Sequence, residues 1–208
     1  MLENMLILNS WVATAVLVFE IATLGKLSSL IIVSLDKENS FRKKFIHTVY
    51  GTKQNIFQKF GLDVLSDKFL LIFIFLFSLF ASLMTLVYSE IFLQVPCALC
   101  WFERIFMYGI VIISATALWS NRELEQKGIL KYITNFSVLG ALVSLYHHIL
   151  QMAASFGSHL PCPTSGGDCG KRIIFEYGHV TFPWMAFVLF AFFIIIILLQ
   201  RKLKVVQY

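Results

Sequence analysis

Residues Phe69–Tyr88 read FLLIFIFLFSLFASLMTLVY, twenty residues without a charge. A bilayer core of ~30 Å is crossed by about 20 apolar residues in a helix. Inside hydrocarbon every backbone N–H and C=O must be bonded within the protein, which leaves helices or closed barrels. A second such run, Thr181–Gln200, ends in AFFIIIILLQ. Ile105–Trp119 reaches spanning length if its helix begins near Cys97, and Leu130–Ala154 holds a single charge, Lys131, at its edge. Met5–Gly25 is a fifth, less apolar candidate; it contains Glu20 and is followed by Lys26 and the run Leu27–Leu35. It has no basic leader and no small-x-small cleavage site, so it is expected to be retained. Of the 208 residues 58% are apolar and 14% charged, against ~45–50% and ~25% in globular chains. Intrinsic disorder is excluded by that balance. The expected fold is an all-α membrane protein. Residues 68–208 form a four-helix transmembrane bundle, and residues 1–67 add one N-terminal transmembrane helix and a basic segment.

The charges orient this bundle. Thirteen Lys/Arg fall in Asp36–Lys68, Ser120–Lys131 and the tail after Gln200, whereas the alternate segments hold three: Arg104, Lys171 and Arg172. Basic loops stay on the cytoplasmic side, so the C-terminus is expected inside and the N-terminus outside. All four cysteines then face the extracytoplasmic side. A net charge of +5 distributed in this way flanks membrane spans and does not form a nucleic-acid groove. Between the first two spans, Phe41, Phe45, Val49, Lys53 and Phe60 recur near helical spacing. They fit either an interfacial helix on an anionic leaflet or a solvated basic linker. Glu20 is expected to face the bundle or an interface, because an unpaired carboxylate in lipid is costly.

The chemistry resides in Pro96-Cys97-Ala98-Leu99-Cys100-Trp101-Phe102-Glu103-Arg104. Proline suits a first helical turn. A helix starting there offers its free N–H groups and positive dipole end to both thiols, which favours thiolate. Arg104 follows Cys100 by four residues and shares its face. The pair can therefore switch between dithiol and disulfide. A structural disulfide is disfavoured here because a C-x-x-C bridge closes too small a loop to stabilise much. A four-cysteine zinc site is the competing arrangement, with sixty-one residues separating the pairs. The second pair, Cys162 and Cys169, lies in LPCPTSGGDCG, a Pro/Gly-rich stretch that reads as a mobile loop able to meet a soluble protein. Near the outer end of the third span of the bundle stand Tyr146, His147, His148 and Gln151; polar groups there serve either a bound headgroup or the interface.

Taken together, PCALCWFERIFMYG (Pro96–Gly109), YHHILQ (Tyr146–Gln151), CPTSGGDC (Cys162–Cys169) and YGHVTFP (Tyr177–Pro183) resemble the disulfide bond formation protein B (DsbB) family over about residues 68–200. The six-residue gap in the second pair is similar to that family's short-loop branch, and the N-terminal 67 residues have no counterpart. The resemblance implies a thiol:quinone oxidoreductase supporting disulfide formation in exported proteins from the bacterial inner membrane. Its electron donor would be a thioredoxin-like (DsbA-type) dithiol protein, and its acceptor a membrane quinone, ubiquinone or menaquinone. Position by position, it implies that Cys97 pairs with Cys100 and that Cys100 is the thiolate facing the quinone ring. Arg104 would hold the quinone, and His147 or His148 would contact it. Cys162 would exchange with the partner, with Cys169 its disulfide mate. A vitamin K epoxide reductase-like enzyme is the rival of similar chemistry, but there the loop pair precedes the C-x-x-C. A non-enzymatic four-cysteine metal-binding scaffold is the rival of another class.

Overall fold

A computed structural model describes residues 2–35, 66–120, 123–157, 162 and 168–207. The described residues form five long helices: α1 (Leu2–Leu35), α2 (Asp67–Leu86), α3 (Ala98–Ser120), α4 (Glu123–Ser155) and α5 (Phe182–Gln207). Each contains a stretch long and apolar enough to cross a membrane, the first over Ile7–Ser28. The expected four-helix bundle with an additional N-terminal helix is thus observed. The basic segment around Phe41–Phe60 lies outside the described residues.

Helix ends follow local chemistry. Ser66 caps α2, its hydroxyl accepting the Lys68 N–H at 3.3 Å. A π-helical turn, Val87–Ile91, ends that helix, and Leu93 adopts a left-handed φ of 52° in the short return to α3. Before α5 the chain folds back on itself through Tyr177 and Gly178, both left-handed, with Glu176 and Val180 paired across the turn. Within the spans, Ser78, Ser82 and Ser114 donate to carbonyls four residues earlier, which satisfies their hydroxyls where no water is present.

Helices α2 to α5 pack in sequence, α2 on α3, α3 on α4 and α4 on α5. The core between them is built on Leu71, Ile74, Ile110, Ile133, Phe190 and Phe193. Gly140 admits the Phe190 ring so closely that a Cβ there would lie 2.6 Å from it. Helix α1 leans on α5 and reaches α2 through the Phe19–Phe77 ring pair, 5.6 Å between centroids. Asn9 accepts from the Tyr88 hydroxyl at 2.6 Å, so the N-terminal end of α1 lies at the same end of the bundle as Cys97. Glu20 faces α5, where its carboxylate accepts from Trp184 Nε1 and meets His179 Nε2 at 3.4 Å. The costly carboxylate is therefore partnered.

A cysteine cluster beside an intramembrane cavity

Cys97 stands immediately before α3 and serves as its cap. Its carbonyl accepts the Trp101 N–H at 3.2 Å, and its Sγ accepts the Cys100 N–H at 3.2 Å. The sequence places both thiols in the first turn; the structure sets Cys97 at the cap and Cys100 one turn in. The two sulfurs lie 2.8 Å apart, with Cys97 buried and Cys100 half-buried.

Behind Cys97 lies a polar line that the sequence does not reveal. His147 Nε2 is 3.6 Å from Cys97 Sγ, and its Nδ1 is 2.9 Å from Glu103 Oε1. His147 is fully buried and Glu103 is 6% exposed. Gln151, one turn beyond His147, donates to the Lys171 carbonyl at 3.3 Å, and its Nε2 lies 3.5 Å from His147 Nε2. With Glu103 accepting from Nδ1–H, Nε2 is the ring position that faces Cys97. Hydrogen bonding by Cys100, then by His147 together with its charge, draws the Cys97 thiol far below its ordinary value, to about 4. The charge-stabilising contacts converge on Cys97, whereas the resemblance assigns the quinone-facing thiolate to Cys100.

The second pair is bonded, Cys162 to Cys169, with Cα atoms 6.3 Å apart. Cys169 is 1% exposed and packs with Cys97, Leu99 and Leu150, while Cys162 is half-buried at the edge of the same cluster. The stretch read as a mobile loop thus rests its disulfide against the first pair. Residues 163–167 lie outside the described residues. Cys162 and Cys169 are bonded to each other, so a four-cysteine metal site would require that bond to be reduced. Cys97, Cys100 and His147 do bring three donor atoms within 4.8 Å. Even so, a sulfur separation of 2.8 Å is shorter than the ~3.7 Å edge of a tetrahedral site with Zn–S bonds of ~2.3 Å.

In front of the sulfurs lies a cavity of about 910 Å³ between the apolar helices. Cys97, Cys100, Glu103, Arg104 and Gln151 line it together with Gln94, Asp168 and Lys171, and apolar side chains of α1, α2 and α5 supply most of the remaining wall. Arg104, 7% exposed, donates through Nη2 to the Thr85 carbonyl at 2.9 Å, and its guanidinium lies 5.3 Å from the Trp101 ring. Among the described residues, Gln151 Oε1 is buried without a partner. Of the candidate site residues, the structure gathers Cys97, Cys100, Arg104, Cys162, Cys169 and His147 into one region. His148 departs from it: its Nδ1 bonds Thr181 Oγ1 at 2.9 Å and its ring packs on Trp184. Neither histidine lines the cavity.

The family model described as disulfide bond formation protein DsbB matches residues 67–200. Disulfide bond formation protein C of Bacillus subtilis is 33% identical over 127 residues, covering 61% of this chain and 88% of that protein. The SPbeta prophage-derived disulfide bond formation protein B of the same organism is 32% identical, covering 66% and 91%. A probable disulfide formation protein of Metapseudomonas resinovorans is 33% identical, covering 62% and 86%. No solved structure matches. The chain, with its multi-pass helical bundle and two adjacent cysteine pairs, belongs to the disulfide bond formation protein DsbB family.

Proposed function

We propose that this disulfide formation protein is a thiol:quinone oxidoreductase of the bacterial inner membrane that reoxidises a thioredoxin-like (DsbA-type) dithiol protein. The carrying observation is the packing of the two cysteine pairs against each other, with Cys97 and Cys100 lining a largely apolar cavity. In the first exchange a partner thiolate attacks Cys162; the Cys162–Cys169 bond breaks and Cys169 leaves as thiolate. The partner's second thiol then resolves the mixed disulfide, leaving the partner oxidised and the loop pair reduced. Next Cys169 attacks Cys97, expelling Cys100, and Cys162 resolves that intermediate to restore its own disulfide. The pair Cys97–Cys100 now holds the two electrons as a dithiol. Each step is a thiolate displacement, so its direction follows the relative reduction potentials.

The residues at the cavity end fit a quinone. Arg104 supplies a donor and Gln151 Oε1 an acceptor, which match a ring oxygen in its carbonyl or hydroxyl form. A bound quinone supplies the sink for two electrons and two protons as the Cys97–Cys100 disulfide re-forms. Glu103 fixes the tautomer of His147, and His147 takes and returns the proton of Cys97. The chain order of the pairs and the family membership set aside the vitamin K epoxide reductase-like alternative.

Anaerobic mixing of the purified protein with a reduced thioredoxin-like donor and a quinone should consume quinone and donor dithiol in equal amounts. Arg104→Ala should raise the apparent KM for quinone by about tenfold or more, since a hydrogen bond to a charged group is worth roughly 1.5–3 kcal/mol. Lys should restore part of this, lacking the planar fork. Donor oxidation without quinone loss would refute the acceptor, and an unchanged KM would make Arg104 a flank charge.

The thirteen-to-three split of Lys/Arg supports an extracytoplasmic position for both pairs. A membrane-impermeant maleimide added to intact, reductant-treated cells should label Cys162. Labelling that appears only after lysis would invert the topology and remove the oxidase role.

A further inference from the structure

We propose that α1, the helix beyond the family match, is the wall that holds the apolar tail of a prenylated quinone, giving this protein a tail-binding chamber. The inference rests on the quinone reading above. The α2 segment meets α5 through the Phe73–Phe192 and Tyr88–Phe182 ring pairs, and α1 lines the cavity between these two contacts. Leu8, Val12, Ala15, Val16 and Phe19, at helical spacing, all line the cavity that ends at Cys100 and Arg104. Phe19 closes the far end, its ring 4.4 Å from Phe192 and 5.6 Å from Phe77. From Leu8 to Phe19 the helix rises about 16 Å, so the chamber is long, apolar and capped by polar groups at one end only. Its volume of about 910 Å³ lies at the top of the ~300–1,000 Å³ range of small-molecule sites. A ligand with an oxygen-bearing ring and an apolar chain matches that profile.

Helix α1 is also fastened in place. Asn9 bonds Tyr88, Thr14 meets the Tyr177 hydroxyl at 3.0 Å, and Glu20 bonds Trp184. Three polar attachments on one apolar helix fix its rotation in a medium where apolar contacts alone give little preference. That rotation is the one that turns Val12 and Ala15 to the cavity.

The test uses full-length protein in nanodiscs with two single variants, Ala15→Trp and Val12→Trp, each checked for the Cys162–Cys169 disulfide and monodispersity. Binding is measured directly for a long-tailed prenyl quinone and for the same ring without a tail, and co-purifying quinone and phospholipid are quantified. Overpacking the wall should weaken the long-tailed quinone by about tenfold, remove it from the purified protein, and leave the tail-less ring within about twofold. Equal binding of both ligands to wild type and variants would make α1 a bystander. Equal loss of both would mean that α1 shapes the fold of the ring site, and loss of phospholipid with quinone retained would assign the chamber to bilayer lipid; either overturns the proposal. Failure of wild type to bind either quinone would instead defeat the oxidoreductase reading itself.

Discussion

His147→Ala slows reoxidation of the Cys97–Cys100 dithiol by about 10²-fold or more, the scale of a lost general acid–base. The expectation follows from the line Cys97 Sγ–His147 Nε2–Glu103, with steps of 3.6 and 2.9 Å in a fully buried setting. Its specific signature is a pH profile. The ordinary Cys97 thiol would titrate near 9, but its contacts with Cys100 and then His147 bring it to about 4. In the wild-type dithiol the thiolate should therefore persist well below the ordinary thiol range. A lowered pKa means that the charged form is lost only as pH falls through the lowered value. Without His147 part of that stabilisation disappears, and thiolate absorbance should begin to rise at a pH closer to the ordinary value of the thiol. Glu103→Gln keeps a side-chain acceptor but removes the carboxylate, so its profile should shift in the same direction by less. A His147→Ala protein with the wild-type absorbance profile and wild-type reoxidation rate would leave the histidine a packing residue.

That line shows where the sequence stops being informative. Charge-free runs such as Phe69–Tyr88 disclose the spans because a membrane helix needs little beyond apolarity and length. PCALC discloses two neighbouring thiols at a helix start because capping chemistry acts over a few residues. Glu103 is different. It lies inside the same motif, yet its partner His147 is forty-four residues away on another helix, and no local periodicity reports such a pairing. Helix rotation alone separates His147 from His148, one turning to Cys97 and the other to Thr181 and Trp184. Glu20 weakens the hydropathy of α1, but the acid that blurs the span is also the group that docks it on Trp184. The Pro/Gly content around Cys162 speaks for a loop without saying that its disulfide packs against Cys97, because that contact depends on the outer ends of α3 and α4 meeting.

With Cys169→Ser, and with the resolving cysteine of the soluble partner also removed, a stable adduct should form at Cys162 and turnover should fall by about 10³-fold or more, the scale expected when a covalent participant is lost. Two independent features select Cys162. The first is access: Cys162 is half-buried at the edge of the cluster, whereas Cys169 is 1% exposed against Cys97 and Leu150. The second is the flanking Pro161 and Pro163, which fix their own φ and favour an extended strand that a thioredoxin-like groove can pair with. Asp168 beside Cys169 does not spend its carboxylate on the sulfur; it accepts the Gly170 N–H at 2.9 Å and shapes the turn. Cys169 packs with Cys97, so in the proposed relay its sulfur would be released toward Cys97 when the partner takes Cys162. The measurement incubates single-cysteine variants with a partner bearing an activated thiol and resolves the adducts on non-reducing gels. Adduct forming at Cys169 and not at Cys162 would reverse the order of the relay. Adduct forming at Cys97 alone would make the second pair a structural disulfide, and the inward step from Cys169 would have no place in the electron path.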